Sequence, residues 1–270
     1  MAAGVYCRPV RIAVVTGGSS GIGAALARLL AVRGWRCVLL AREREQLERV
    51  AEEVRGEAEP CDVGDRAQVA EVAARVRERH PAVHLLVNNA GLTRRKGFIE
   101  LPPEQIEEMV RTNYLGAVWC LLAFLPLLEA GRPSDVVNVV SVAGTVAHGS
   151  SGPYAAAKHA QLAFSRATTV ELAPRGIRVH TVNPGPVETP GFPQRMLLER
   201  PLVRRVVLTP ERVAEAVMGA IEHNRAEVVV PRYLRLAGAV QALAPASLAR
   251  LVSRAGGRAG ALRDRERPPR

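Results

Sequence analysis

Tyr154 and Lys158 stand four residues apart in the stretch Tyr-Ala-Ala-Ala-Lys. On a helix this spacing puts both side chains on one face. An ammonium beside a phenol favours phenolate and lowers the tyrosine pKa from its ordinary value of about 10. The phenol then becomes a usable proton donor and acceptor near neutral pH. Arginine would serve poorly as the partner, because it stays protonated and cannot join a proton relay. Of the 37 basic residues only Lys96 and Lys158 are lysines, so arginine is the default cation here and a lysine stands out. Ser141 ends an apolar run 13 residues before Tyr154. A hydroxyl at the carboxyl end of a strand sits where doubly wound sheets place their ligands, and it can hydrogen-bond a substrate carbonyl. A lone Tyr-x-x-x-Lys is usually an ordinary helix pair; its meaning here depends on what surrounds it.

A second cluster lies near the start of the chain, in Thr16-Gly17-Gly18-Ser19-Ser20-Gly21-Ile22-Gly23. Glycines let the backbone turn tightly and approach a ligand closely. A helix beginning at this point aims its free N–H groups and its dipole at the turn, which makes an anion site suited to a pyrophosphate. The same residues also spell Gly-x-Ser-x-Gly, with Ser19 as a possible hydrolase nucleophile. Against that reading, the motif is on the first strand and no acidic residue followed by histidine completes a triad. Cofactor choice in a dinucleotide fold is made at the end of the second strand, where an acidic residue binds a ribose 2′-hydroxyl and an arginine accommodates a 2′-phosphate. The run Leu39-Leu40-Ala41-Arg42 ends in arginine, which favours NADPH over NADH.

The elements that must position these groups alternate between strand and helix. Strands are expected at Arg11–Thr16, Trp35–Ala41, Ala58–Val63, Val83–Asn88, Asp135–Ser141, Ile177–Asn183 and Ala226–Val230. Helices are expected at Gly21–Arg33, Glu43–Arg55, Asp65–Arg79, Pro103–Ala130, Gly152–Ala173 and Glu211–Glu222. Repeated β-α-β of this kind implies an α/β fold with a parallel sheet and helices on both faces.

In this framework the sequence resembles the short-chain dehydrogenase/reductase family over about residues 9–231. The resemblance rests on the glycine loop at 16–23, Asn88-Asn89-Ala90-Gly91, Tyr154 with Lys158, Asn113 in Arg-Thr-Asn-Tyr, Asp62-Val63, and Pro184-Gly185 followed by Val187 and Thr189. It implies a Rossmann-type doubly wound sheet of about seven strands in the order 3-2-1-4-5-6-7, in a single domain. The activity implied is that of an NADP-dependent carbonyl reductase or alcohol dehydrogenase. Tyr154 would be the general acid, and Lys158 would bind the nicotinamide ribose and tune Tyr154. Ser141 would orient the carbonyl, and Asn113 would hold a water leading from Lys158 to solvent. Cofactor contacts would come from Gly17, Ser19, Ser20, Gly21, Ile22, Gly23, Arg42, Asp62, Val63, Asn89, Ala90, Gly91, Tyr154, Lys158, Pro184, Gly185, Val187 and Thr189. Hydride would pass directly to the carbonyl carbon, without a metal. The alternative is a non-catalytic nucleotide-sensing protein on the same fold, which would have no use for a proton relay.

Composition limits the remaining classes. The chain has 270 residues, a net charge of +11, 48% hydrophobic and 23% charged residues, ordinary globular usage that excludes global disorder. The charge raises nucleic acid as a partner, but only 4% of residues are aromatic, too few for base-stacking platforms. Most of the charge lies in the last forty residues, which hold nine arginines against Asp264 and Glu266. Four cysteines without metal or disulfide spacing fit a reducing compartment, and a cytoplasmic protein is expected. Tyr114–Leu128, 15 residues with Pro126 inside, falls short of a membrane span and reads as a buried or interface helix of a homodimer or homotetramer.

Substrate choice is expected in Val142–Pro153, with His148, and in Val187–Leu208, where Phe192, Met196, Leu197 and Leu198 could form an apolar lid over a hydrophobic ketone or acyl group. Residues 232–254 read as an amphipathic extension, split by Pro245. It could close the pocket, pack on a partner subunit or make weak contact with a membrane surface. Residues 255–270 read as an arginine-rich tail.

Overall fold

The computed structural model describes residues 10–147, 151–194, 206–247 and 250. His148, Met196, Leu197, Leu198 and the tail at 255–270 lie outside them. Seven parallel strands form one sheet in the order β3-β2-β1-β4-β5-β6-β7. The strands are β1 Ile12–Thr16, β2 Arg36–Ala41, β3 Glu57–Pro60, β4 Leu85–Asn88, β5 Ser134–Val139, β6 Ile177–Pro184 and β7 Glu227–Val230. The helices are α1 Gly21–Val32, α2 Arg44–Glu53, α3 Arg66–Arg79, α4 Pro103–Val110, α5 Gly116–Ala130, α6 Gly152–Leu172, α7 Pro210–Glu222 and α8 Arg235–Leu243.

Strands covered on both faces are mostly apolar rather than alternating. Here β1, β4 and β5 are buried at every position, and the β5 polar residues Ser134, Asp135 and Asn138 are hydrogen-bonded within the fold. Two cores result, one on each face. Leu26 and Leu30 of α1, Leu47 of α2 and Val217 of α7 pack on one side. Val72 of α3 and Phe124 and Leu128 of α5 pack on the other. Full burial of each such leucine is worth about 1.5–3 kcal/mol. Asp65 caps α3 by accepting from the backbone N–H of Ala67 at 2.9 Å and of Gln68 at 3.3 Å, and Thr209 caps α7 through Arg212 N–H.

Most element ends fall within two residues of the sequence expectation; three differences bear on the site. The third strand ends at Pro60 instead of Val63, because Asp62 turns the chain: its Oδ1 accepts from Gly64 N–H at 2.9 Å and its own N–H donates to Gln68 Oε1 at 3.0 Å. The fifth strand stops at Val139, leaving Ser141 in the following turn. The expected helix over 103–130 is continuous but contains a wider π turn at Arg111–Leu115. Its full length and composition are those of a membrane-crossing helix, and 44% of its most apolar window is buried in the protein.

Inside the sheet, His180 of β6 is fully buried beside Asp135 of β5. Its Nε2 lies 2.8 Å from Asp135 Oδ1 and its Nδ1 lies 3.0 Å from the Arg225 carbonyl, so both ring nitrogens are placed to donate. Arg178 donates to the other oxygen of Asp135 at 2.8 Å. Removing one partner of a buried pair leaves the other desolvated without compensation. His180→Ala is expected to cost about 3 kcal/mol of stability, measured by urea unfolding. An unchanged midpoint would show that the Asp135–Arg178 pair alone holds this strand pair.

Candidate active site

In a doubly wound sheet the crevice opens where the strand order reverses, at the carboxyl ends of the strands. Here the reversal lies between β1 and β4, whose neighbours run outward to β2 and β5. The glycine loop leaves β1 there, and Asn89-Ala90-Gly91 leaves β4 beside it. Thr16 joins the two. Its hydroxyl donates to the Val87 carbonyl at 3.1 Å and accepts from the N–H groups of Asn89 at 2.9 Å and Ala90 at 3.0 Å. Asn89 completes the tie by donating its side-chain amide to the Thr16 carbonyl at 2.9 Å. Its side-chain amide thus braces the loop while the residue still borders the crevice.

The loop has the shape of a cradle for an anion. Gly17 holds φ +66°, in the left-handed region, and a Cβ there would lie 2.8 Å from Asn89 Nδ2. A Cβ on Gly23 would lie 2.1 Å from the Gly17 carbonyl oxygen, so the first turn of α1 can close on the loop only through glycine. Ser20 begins α1 without using its side chain as a cap, which leaves that hydroxyl and the first N–H groups facing the crevice. These features fit a pyrophosphate.

The crevice has a volume of about 920 Å³, within the range typical of small-molecule sites. Every catalytic and cofactor residue expected from the sequence borders it except Gly23, which packs behind the loop. A second hollow of about 900 Å³ lies at the amino ends of β1–β3. Its charged groups are engaged with one another: Glu57 with Arg79 and His80, and Glu59 with Arg79. It contains none of the expected chemistry.

Asn113 sits in the π turn, where one extra residue per turn redirects side chains. It is fully buried. Its amide donates to the carbonyls of Leu92 and Met109, both at 2.9 Å, and its Oδ1 accepts from Leu92 N–H at 3.1 Å. It therefore pins the chain leaving β4. Gly91 passes so close that a Cβ there would be 2.7 Å from Asn113 Oδ1 and 3.7 Å from Lys158 Nζ. These distances bring Asn113 and Lys158 to the same spot.

Ser141 follows β5. Its Oγ accepts from Ala143 N–H at 3.1 Å, which leaves the hydroxyl proton free to be donated. Tyr154 and Lys158 rise from the first turns of α6, and Tyr154 hydrogen-bonds Ser141. Burial pushes the phenol up to about 12, against a downward pull from the Ser141 hydrogen bond. Lys158 is 3% exposed, and burial pushes its ammonium down to about 7. Its Nζ donates to the Val139 carbonyl at 3.1 Å and to Gln161 Oε1 at 2.7 Å, and stands 5.9 Å from the centre of the Tyr154 ring. The expected lowering of the tyrosine pKa by lysine is thus corrected: desolvation outweighs the Ser141 hydrogen bond for Tyr154, and desolvation alone lowers Lys158. A lysine near neutrality remains suited to proton relay, which was the other half of the expectation.

Arg42 stands just past β2, about half exposed, 3.5 Å from Glu108. Glu108 is held more closely by Arg94, at 2.6 Å, and its carboxyl is kept below the usual range chiefly by that hydrogen bond. The long contact leaves Arg42 able to turn to another acceptor. On the far side, the Thr189 methyl lies 3.0 Å from where a Gly21 Cβ would stand. Phe192 lies with its ring centre 5.5 Å from that of Tyr154. Gln194 holds this turn by donating to the carbonyls of Val187 at 3.3 Å and Phe192 at 3.0 Å. Gln161 and Gln194 are supporting residues that sequence reasoning did not single out, and Thr16, read only as the start of the glycine motif, is a third whose tie to β4 it did not foresee. Only Gln161, three residues after Lys158, had a helical spacing that could have revealed it.

A family model described as short chain dehydrogenase matches residues 11–196. The 3-oxoacyl-[acyl-carrier-protein] reductase FabG of Escherichia coli K12 is 33% identical over 181 residues, covering 66% of this chain and 74% of that protein. A crystal structure of a short chain dehydrogenase from Burkholderia cenocepacia in complex with NADP matches with TM-score 0.75 and 29% identity, over 90% of this chain and 97% of that one. Another short chain dehydrogenase/reductase, from Burkholderia phymatum in complex with NAD, matches with TM-score 0.76 and 25% identity, over 86% and 92%.

Proposed function

The chain belongs to the short-chain dehydrogenase family, oxidoreductases acting on alcohol and carbonyl groups, and on that premise we propose that it uses NADPH to reduce the carbonyl of a hydrophobic ketone or acyl substrate. The observation that carries this reading is the grouping of Ser141, Tyr154 and Lys158 beside a glycine cradle at the sheet's reversal point. A bound nicotinamide supplies hydride to the carbonyl carbon. The Ser141 hydroxyl donates a hydrogen bond to the carbonyl oxygen, and the Tyr154 hydroxyl delivers the proton to that oxygen. The resulting phenolate is stabilised by Ser141 and by the charge that Lys158 carries when protonated. Asn113 keeps the segment from Gly91 to Leu92 against Lys158. The apolar wall of Leu92, Val142 and Phe192 supports a hydrophobic substrate, as does the name of the E. coli relative, a 3-oxoacyl reductase.

Arg42, bordering the crevice just past β2, supports NADPH over NADH, because an arginine at that position accommodates a 2′-phosphate. A charge-assisted hydrogen bond is worth about 1.5–3 kcal/mol, so kcat/KM should favour NADPH by roughly tenfold to a hundredfold. Arg42→Asp should reverse that preference. A panel of medium-chain ketones and acyl thioesters, assayed with both cofactors, tests substrate class and cofactor together. Equal use of NADH and NADPH would remove Arg42 from this role, and turnover of small polar ketones alone would overturn the hydrophobic-substrate reading. We place the enzyme in the cytoplasm as a homodimer or homotetramer. Leu122 of α5 and Val170 of α6, 57% and 76% exposed, support an apolar subunit contact.

A further inference from the structure

Helix α8 has two unlike faces. Inward, Leu234 just before it lies 2.6 Å from where a Cβ on Gly185 would stand, and Gly238 lies 3.0 Å by the same measure from Thr145. The helix thus seats on the segment following β6 and on the turn that follows Ser141. Outward, Tyr233, Leu236, Val240 and Leu243 are 53%, 70%, 47% and 87% exposed. Their spacing puts them in one stripe. From Leu236 to Leu243 the other exposed positions are alanines, so this face presents no exposed polar side chain over that span.

The surroundings are basic. Arg232 and Arg235 flank the start of the stripe and Arg250 follows it, all exposed. From Val228 to Arg263 the sequence contains six arginines and no acidic residue. We propose that α8 docks on an anionic lipid surface, with its stripe in the boundary between headgroups and acyl chains and its arginines among the headgroups. An apolar stripe edged by cations is the pattern of helices that lie in a membrane interface, and anionic headgroups supply the counter-charge that this segment lacks. A second copy of the chain fits less well. A two-fold contact pairs a patch with itself, which would bring these arginines against their own kind. Nucleic acid would satisfy the arginines and leave the stripe in water.

The test is sedimentation of the full chain with extruded vesicles, which needs no turnover and so stands apart from the enzymatic reading. Binding is expected to vesicles of equimolar phosphatidylglycerol and phosphatidylcholine, to weaken with salt, and to be absent with phosphatidylcholine alone. The double variant Leu236→Glu, Val240→Glu should lose at least about tenfold in vesicle affinity. The variant Arg232→Gln, Arg235→Gln should lose roughly fivefold per arginine. Both should keep the wild-type unfolding temperature, because these side chains face solvent. Failure to sediment with anionic vesicles would overturn the proposal, as would sedimentation unaffected by the double glutamate variant. A concentration-dependent dimer lost in that variant, without vesicle binding, would assign the stripe to a second copy instead.

Discussion

Tyr154→Phe is expected to lower kcat for carbonyl reduction by about three orders of magnitude while changing NADPH affinity by no more than roughly fivefold, the worth of one neutral hydrogen bond. A positioned general acid contributes about 10²–10⁴-fold. The middle of that range applies because the phenol borders the crevice and is only partly shielded from solvent. The substitution keeps the ring and its contact with Phe192, which separates loss of the proton from loss of packing. Ser141 retains its bond from Ala143 N–H and still orients the carbonyl. Single-turnover oxidation of NADPH gives the chemical step directly, and cofactor fluorescence gives affinity. A variant within tenfold of wild type would mean that Tyr154 is not the acid.

Lys158→Met should act in opposite directions on catalysis and stability. Loss of the cation 5.9 Å from the centre of the phenol ring is expected to lower kcat by about 10²–10³-fold. The stability effect follows from burial. The lysine titrates near 7 when folded and near 10.5 when unfolded. Between those values the unfolded chain binds more protons, so the folded state gains as pH rises. The wild type should therefore gain roughly 4 kcal/mol relative to the variant between about pH 7 and pH 10.5. Tyr154, pushed up to about 12, works the other way, stabilising below about pH 10 and losing that contribution as pH rises through 12. It is present in both proteins and largely cancels in the comparison. Urea unfolding of both across this range is the check. Parallel pH profiles would show that Lys158 is no harder to protonate in the fold than in the unfolded chain.

Much of this site was legible in sequence because its chemistry is tied to short-range spacing. The turn of a helix puts Tyr154 over Lys158, and the glycine loop lies between a strand and a helix. The alternation of strands and helices was enough to expect the sheet, and Pro60 and Asp62 moved only one of its ends. What could not be read depends on packing between distant segments. The sign of the Tyr154 shift depends on how deeply α6 is buried. Asn89, expected as a cofactor contact, also braces the glycine loop because β1 and β4 are neighbours, a fact that emerges only when the sheet is assembled. The partners of Asn113, Leu92 and Met109, meet it through a π turn that no residue in Arg-Thr-Asn-Tyr announces.

The Thr16 hydroxyl, shared among the backbones of Val87, Asn89 and Ala90, has a consequence for the thermodynamics of cofactor binding. It makes the two lips of the crevice one rigid piece in the folded protein. The conformational entropy of those loops is then lost at folding, and little remains to be lost when a dinucleotide enters. Thr16→Val would preserve the shape of the side chain and release three backbone groups. Cofactor association should then carry a larger unfavourable entropy in calorimetry, a preorganisation lost at a residue that has no need to touch the ligand.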